Sequence, residues 1–543
     1  MKRCGAAVGR RIYLETFGCQ MNVLDSQLVQ GQLRALGYRF VDSWREADVV
    51  LYNTCSVRAR AEQKVYSRVG EVGQHKQKRN DVILGVVGCM AEREGTELVR
   101  RYPQIDLLCG PGELDKLPLL IDNAVKTGSV TRRSGAECQT ALQGNVHRRS
   151  ATLGAAEDQL ELLDLSRSFS PDDFEGCAYV RITRGCNKFC TYCVVPQTRG
   201  AEVHRPPHTI VEECRRLVDA GVVQITLLGQ TVNHYEYDSG AAVAVRGVLQ
   251  PQVGRAVRQS AAAGAAPAVR TASRVTTFAD LLALIHDQVR GLQRLRFVTS
   301  FPRDFGDDIL HVMRDCRRIC RYLHLPVQSG SDRVLRLMNR DYTVGSYLEL
   351  LDRVRQTLPD CQVATDIICG FPSETEQDHQ ATAQLLGAAR CKNAFIFKYS
   401  PRPGTTAFDR HSDDVPPPTK ARRNNELLAV QMRISAEVHA TLVGRTVSVF
   451  VESVSARARK SHNTADPSVT VGWDRPESVT QLCGRTDTDL IVMFEADPSL
   501  VGRIVKVKIE SSAPLVLFGH MTGEPASGRQ EKECRVSGVE CLD

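Results

Sequence analysis

Three cysteines stand within eight positions of one another in RGCNKFCTYC (184–193), at Cys186, Cys190 and Cys193. Thiolates packed this closely are metal ligands in the making. Structural zinc needs four ligands and usually takes them as two separated pairs. No second pair lies nearby, and His204 and Cys177, the only close candidates, sit at no familiar spacing. A 4Fe–4S cube held by three thiolates leaves one iron open to an exogenous ligand, which suits the C-x3-C-x2-C spacing better. A second set is not local. Cys19, Cys55 and Cys89 lie 36 and 34 residues apart, and each follows a strand-like run and precedes a helical one. Singly, each reads as a small buried apolar residue. Together, at the carboxyl ends of strands in a doubly wound sheet, three thiols can meet in one crevice, so a second open-site cluster is an equal reading.

The elements that must position these residues follow an α/β rhythm. RIYLETFG (11–18) reads as a strand leading into a turn, and ADVVLYNT (47–54) and DVILGVVG (81–88) read as buried strands. Helical patterns follow each of them: leucines from Leu24 to Leu36 with Gly37 as a stop, then SVRARAEQKVYSRV, then MAEREGTELVRRY. That alternation predicts a parallel sheet covered by helices over residues 11–127. Residues 128–171 read as a linker, with SPDD (170–173) turning the chain into the next unit. From 172 to 439 six further strand runs alternate with helices, from CAYVRITRG to NAFIFKYS, and predict an open or complete α/β barrel with its site at the strand ends. A stretch rich in Ala, Val and Gly, with five arginines and no acidic residue, interrupts the rhythm at 239–277 and reads as a disordered surface insertion. Short alternating runs in 440–524 predict a small all-β barrel, OB-like in size, and 525–543 a disordered tail.

The bulk numbers allow this reading. A chain of 543 residues exceeds one ordinary core, and 42% apolar with 24% charged residues is the balance of a soluble globular protein. The charge of +7 permits a polyanionic partner without requiring one. Nineteen cysteines in so long a chain favour a reducing compartment rather than a disulfide framework. With no apolar leader and no membrane-spanning run, a cytoplasmic location is expected.

The flanks of these cysteines carry a resemblance. TFGCQMN (16–22), NTCSVR (53–58), VVGCMAER (86–93), RGCNKFCTYCVVPQTRG (184–200), LLGQTVN (227–233), HLPVQSGSDRVLRLMNR (324–340), TDIICGFPSET (365–375) and FKYSPRPGT (397–405) are similar, in this order, to the MiaB-like methylthiotransferases. These belong to the radical S-adenosylmethionine (SAM) superfamily. The C-terminal β unit, with LCGRT (482–486), resembles that family's TRAM domain, an RNA-binding module. The resemblance implies an N-terminal domain for an auxiliary cluster, a radical-SAM barrel and a TRAM barrel. It implies that Cys19, Cys55 and Cys89 hold an auxiliary 4Fe–4S cluster, and that Cys186, Cys190 and Cys193 hold the SAM-cleaving one. It also implies the activity: a methylthio group is placed at C2 of N6-dimethylallyladenosine at position 37 of tRNA, with one SAM donating methyl and another giving the 5′-deoxyadenosyl radical.

Further expectations attach to this resemblance. Gly229, Gln230, Gln328, Ser329, Gly330 and Asp366 end barrel strands or flank such ends, where the superfamily lines its SAM pocket. Glu374 either joins them or caps a helix. Arg199, Arg340 and Arg402 are candidates for phosphate contact or for solvated salt bridges, and Arg445, Arg485 and Arg503 for RNA contact on the small barrel. The expected partners are a tRNA anticodon stem-loop and an electron donor such as flavodoxin or ferredoxin, with the chain a monomer and no membrane involved. Thr231 stands where this branch usually has Asn. Two other branches, acting on threonylcarbamoyladenosine or on a ribosomal-protein aspartate, share the core motifs. A reading of another class, a non-catalytic Fe–S or zinc RNA-binding protein, uses the same cysteines structurally.

Overall fold

In the computed structural model, residues 9–56, 59–79, 81–134, 142–143, 164, 167–170, 174–239, 244–245, 248–249, 252–253, 275–455 and 480–523 are described. The chain divides into two units, residues 1–434 and 435–543.

The first unit opens with a six-stranded, all-parallel sheet. Its elements are β1 (Arg11–Phe17), α1 (Gln20–Ala35), β2 (Arg39–Phe40), β3 (Val49–Thr54), α2 (Ala59–Lys76), β4 (Ile83–Gly88), α3 (Cys89–Glu94), α4 (Thr96–Arg101), β5 (Leu107–Cys109), α5 (Leu117–Ser134) and β6 (Leu142–Gln143). The strand order is β2-β1-β3-β4-β5-β6, so the order reverses beside β1 and β3. Each central strand is buried on both faces, as an uninterrupted apolar run requires. Val49 and Leu51 join Leu24, Leu28 and Ile121 in one core, while Val50 and Tyr52 join Val65, Val69 and Leu98 in another. Two cores on opposite faces make the sheet doubly wound. The expected single helix after β4 is two, because Gly95 takes a left-handed φ of 50° and breaks it.

Six parallel strands then form two three-stranded sheets. Cys177–Arg181, Gln224–Leu228 and Arg294–Phe297 pair in one; Tyr322–His324, Gln362–Cys369 and Asn393–Lys398 pair in the other. A single bridge between Leu295 and Ile319 links them, and no pairing of the first strand with the sixth occurs among the described residues. The barrel is open. Its helices start where side chains satisfy the free N–H groups: Thr277, Thr343 and Thr375 each build a capping box, each cap contributing about 1 kcal/mol.

Two stretches differ from their sequence reading. The linker 128–171 holds the end of α5, the edge strand β6, and the buried anchors Asp164 and Arg167. A polar composition hid the two anchors, which ion pairs hold: Asp164 with Arg181 and Arg167 with Glu213. Within the insertion, 275–277 pairs antiparallel with Glu236–Asp238, and Ala244–Val245 pairs with Val248–Leu249. Gln252–Val253 pairs antiparallel with Val203–His204; residues 240–243, 246–247, 250–251 and 254–274 of that insertion, residues 171–173 of SPDD and the tail from 524 lie outside the described residues.

The second unit contains a closed five-stranded barrel of Thr446–Val454, Thr480–Thr486, Ile491–Ala496, Ile504–Ala513 and Val516–Met521. Alternate residues such as Val449, Val451, Leu482, Val492, Val505 and Val507 fill it. No helix among the described residues is long and apolar enough to cross a membrane.

Candidate cluster sites

The sheet brings the dispersed cysteines together. Cys19 is the N-cap of α1, Cys55 follows β3 and Cys89 opens α3, all at the carboxyl edge where the strand order reverses. A polar scaffold sets the spacing. Asn22 donates Nδ2 to Asn53 Oδ1 at 3.0 Å, and Asn53 donates Nδ2 to Asn22 O and Ser26 Oγ at 2.9 Å each. Both asparagines are buried, so each bond made here spares a costly unsatisfied amide. The backbone also closes in: a Cβ on Gly18 would lie 2.4 Å from Cys55 Cβ. A hydrogen bond with Cys55 draws the Cys19 thiol down to about 6 against burial, with the Arg199 charge assisting. Burial pushes Cys89 up, and Arg199 opposes it.

Arg199 comes from the barrel, six residues beyond Cys193. It is buried and donates Nη2 to Asp25 Oδ2 of α1 at 2.7 Å. Around it runs a buried ion network. Arg181 grips Asp164 through Nη2 at 2.6–2.7 Å, while Arg167 and Arg205 divide Glu213 at 2.9 and 2.7 Å. Arg402 is likewise committed, to Glu62, which Arg93 also holds at 2.7 Å. Arg199 and Arg402 are therefore neither phosphate contacts nor solvated salt bridges. They tie the barrel to the N-terminal sheet, and losing one partner of such a pair costs about 3–5 kcal/mol.

Cys186, Cys190 and Cys193 share one loop beyond the first barrel strand. The loop is pinned at both ends and in the middle: Cys186 N donates to Gly200 O at 3.2 Å, Cys193 N to Cys190 O at 3.0 Å, and Thr191 N to Met338 O at 3.0 Å. Phe189 takes a left-handed φ of 50°, held by Asn339 Nδ2 on its carbonyl at 3.1 Å. Burial pushes Cys193 up to about 12, with the neighbouring Cys190 adding to it, and burial raises Cys186. Thr231 Oγ1 stands 3.6 Å from Cys186 Sγ, so the residue that departs from the branch pattern touches this triad directly.

Gly185 shows how tightly the loop is built. Its φ is +73°, and a Cβ there would lie 1.9 Å from Ala201 O. The left-handed backbone alone costs an L-residue about 1–2 kcal/mol, and the clash is with backbone that cannot swing away. Gly185→Ala is expected to lower the melting temperature and to displace the loop, read as iron per chain falling by about half after reconstitution.

A single zinc at about 2.3 Å would draw thiolates to within about 3.8 Å of each other. Among the described residues, the groups of three ligands lying within 4.8 Å of one another are Glu202–His204–His234 and Glu376–His379–Glu426. Neither cysteine triad is among them. Three sulfurs without a fourth protein ligand suit an iron–sulfur cube with one iron left open.

The residues expected around SAM fare unequally. Gly229 and Gln230 end the second barrel strand beside the loop of Cys186. Gln328 takes φ +77° and bridges to the fifth strand, its N–H donating to Asp366 O at 2.8 Å. Ser329 Oγ accepts from Ser331 N at 3.2 Å, and a Cβ on Gly330 would strike Thr382 Cα at 2.4 Å. These two serve the turn and the packing of helix Glu376–Ala389. Glu374 Oε2 accepts from Gly370 N at 2.7 Å and from Arg423 at 2.8 Å, which makes it a buried clamp. Asp366 pairs with His324 Nε2 at 3.0 Å on a partly open strand face. By register Phe395 lies beside Asp366 and Phe397 beside Ile368, and both rings stay 44% and 41% exposed. His324, Phe395 and Phe397 escaped sequence reasoning because a strand-end aromatic ordinarily signals core.

On the small barrel Arg445 and Arg503 are exposed, but Arg485 is held by Glu452 at 3.1 Å and Asp489 at 3.2 Å. Lys506 and Lys508, two apart on one strand and both exposed, add a basic stripe that sequence reasoning passed over; the alternation of RIVKVKIE was its signal.

Comparisons with known proteins find three family matches in this order along the chain. Residues 11–110 match Uncharacterized protein family UPF0004, residues 180–386 the Radical SAM superfamily and residues 469–522 the TRAM domain. The chain is 39% identical over 512 residues to tRNA-2-methylthio-N(6)-dimethylallyladenosine synthase of Rhodopirellula baltica, covering 94% of this chain and 95% of that one. It is 35% identical over 514 residues to the protein of the same name in Aquifex aeolicus, covering 95% and 99%. Among solved structures, the radical S-adenosylmethionine methyltransferase TsrM of Kitasatospora setae is similar at a TM-score of 0.46 and 15% identity, over 74% of this chain and 75% of that one.

Proposed function

The chain belongs to the MiaB-like methylthiotransferase family of the radical SAM superfamily, and from that premise we propose how its residues divide the reaction. It is a tRNA-2-methylthio-N6-dimethylallyladenosine synthase whose cofactors are two 4Fe–4S clusters and SAM. The observation that carries the assignment of roles is that Cys19, Cys55 and Cys89 meet at the carboxyl ends of β1, β3 and β4, while Cys186, Cys190 and Cys193 face one another on a single loop. Cys186, Cys190 and Cys193 hold the SAM-cleaving cluster, and Cys19, Cys55 and Cys89 the auxiliary one. Loaded there, the clusters and SAM supply the radical and the sulfur.

The chain's own residues orient and enclose. The Asn22–Asn53–Ser26 lattice spaces the auxiliary thiols, and Arg199 with Asp25 locks the barrel loop against them. Gly229 and Gln230 border SAM at the second strand, with Gln328 and Asp366 across the opening. Phe395 and Phe397 face the adenine, offering apolar area to its dimethylallyl arm. That arm contributes about 2–3 kcal/mol if largely buried. Arg445, Arg503, Lys506 and Lys508 meet RNA phosphates, and the substrate region is the anticodon stem-loop, whose unpaired base is presented at modest cost. A low-potential flavodoxin or ferredoxin is the electron donor.

A stem-loop bearing dimethylallyladenosine at the reactive position is therefore expected to turn over roughly a hundredfold faster than its unmodified counterpart. Single-turnover rates with both substrates, a threonylcarbamoyl stem-loop and a ribosomal-protein substrate check it. Preference for either of the last two would overturn the assignment of the target while leaving the triads standing.

A further inference from the structure

Arg340 is a buried cation that no acid answers among the described residues. It follows helix Asp332–Leu337 and points back at the loop of the cysteine triad. Each of its three nitrogens donates one hydrogen bond. Nε donates to Tyr342 Oη at 2.9 Å, Nη2 to Pro326 O at 2.8 Å and Nη1 to Cys190 Sγ at 3.3 Å. The Phe301 ring covers one face, 4.3 Å from Cζ, and Tyr342 lies 5.1 Å away. Tyr342 is itself fixed, donating to Val327 O at 2.8 Å. Among the described residues no carboxylate pairs with Arg340, whereas Arg199 at the other triad has Asp25.

An unpaired buried charge is expensive, and a guanidinium cannot shed its proton. What faces it is the sulfur of Cys190, which would be an anionic ligand when the triad holds a cluster. Hydrogen bonds and positive charge at a cluster sulfur favour the more negative, reduced state, and outer contacts of this kind tune metal sites as surely as the ligands do.

We propose that Arg340 is the charge-setting positioning residue of the SAM-cleaving site: its guanidinium, sealed by Phe301 and Tyr342, is the counter-charge of Cys190 and makes the cluster on that triad easier to reduce. The step is a one-electron reduction in which a low-potential donor is oxidised and no bond in the protein changes. The proposal rests on the assignment of Cys186, Cys190 and Cys193 given above.

The test is a redox titration of the reconstituted full-length chain, following by electron paramagnetic resonance the signal that added SAM perturbs. Arg340→Met, of similar reach but uncharged, should lower the reduced-to-oxidised ratio at a fixed potential about tenfold, a shift of about 59 mV to more negative values. Arg340→Lys should restore most of it, and the signal indifferent to SAM should not move. An unmoved midpoint in Arg340→Met, a lysine variant shifted as far as the methionine one, or equal shifts of both signals would each overturn the proposal. If Arg340→Met binds no cluster at this triad, Arg340→Gln, which keeps a donor without charge, replaces it: a midpoint below that of Arg340→Lys supports the proposal and coincident midpoints overturn it. A native chain with no SAM-responsive signal would overturn the triad assignment and the inference together.

Discussion

Cys186→Ala, Cys190→Ala and Cys193→Ala, combined, are expected to leave about four irons per chain instead of about eight and to abolish formation of 5′-deoxyadenosine. The loss should exceed a thousandfold, because without its three thiolates the cluster that would pass an electron to SAM has nothing to hold it. The physical basis is local. The three sulfurs lie on one loop pinned through Gly200, Met338 and Asn339, so that alanine removes ligands without removing the pins. The remaining iron then reports on folding: a triple variant that retains a full auxiliary cluster and its native melting temperature has lost the chemistry alone. Iron by colorimetric assay and 5′-deoxyadenosine by mass spectrometry give both readings. A variant that still cleaves SAM at the native rate would refute the assignment.

The second large effect separates the two chemistries. With Cys19, Cys55 and Cys89 replaced by alanine, SAM cleavage should persist within about threefold while methylthiolated nucleoside falls below detection. The cost to stability should be modest in principle, since each change removes one sulfur, at about 1–3 kcal/mol for a buried site, while the Asn22–Asn53 lattice and the Arg199–Asp25 pair remain. Nucleoside mass spectrometry of the tRNA substrate, run beside the 5′-deoxyadenosine assay, reads both. Methylthio product at the native level would exclude an auxiliary cluster on these cysteines. Loss of both activities, with iron near zero, would show instead that the two sites fold together.

How much of this was legible in sequence differs by element. RGCNKFCTYC announces its chemistry because all three ligands sit within one loop, where spacing alone constrains geometry. The strands at 49–54 and 83–88 were legible because a strand buried on both faces reads as a near-continuous apolar run, whereas 11–17 is only partly buried. Gly95 was not legible as a helix break, since a glycine within a helical pattern is often tolerated. Nor was β6, two residues long at the sheet edge, where pairing rather than pattern defines a strand.

Charged residues divide most sharply. Arg199 finds Asp25 across 174 positions, Arg402 finds Glu62 across 340, and Arg340 finds Cys190 across 150. From sequence each arginine reads as a surface cation available to phosphate, because burial of a charge depends on a partner that no local pattern reveals. Ser329 and Gly330 mislead for a related reason: the helix that crowds them is some fifty residues further on. What the sequence determined by itself was the order of three domains, six candidate ligands and, through their flanking motifs, the reaction. What only the tertiary structure decided was which thiols share a site, which arginines are spent as internal counter-charges, and which aromatics stay open beside Asp366. The first set follows from spacing along one chain, where covalent geometry limits the choices; the second depends on topology, which sets distant residues a few ångströms apart and removes water from between them.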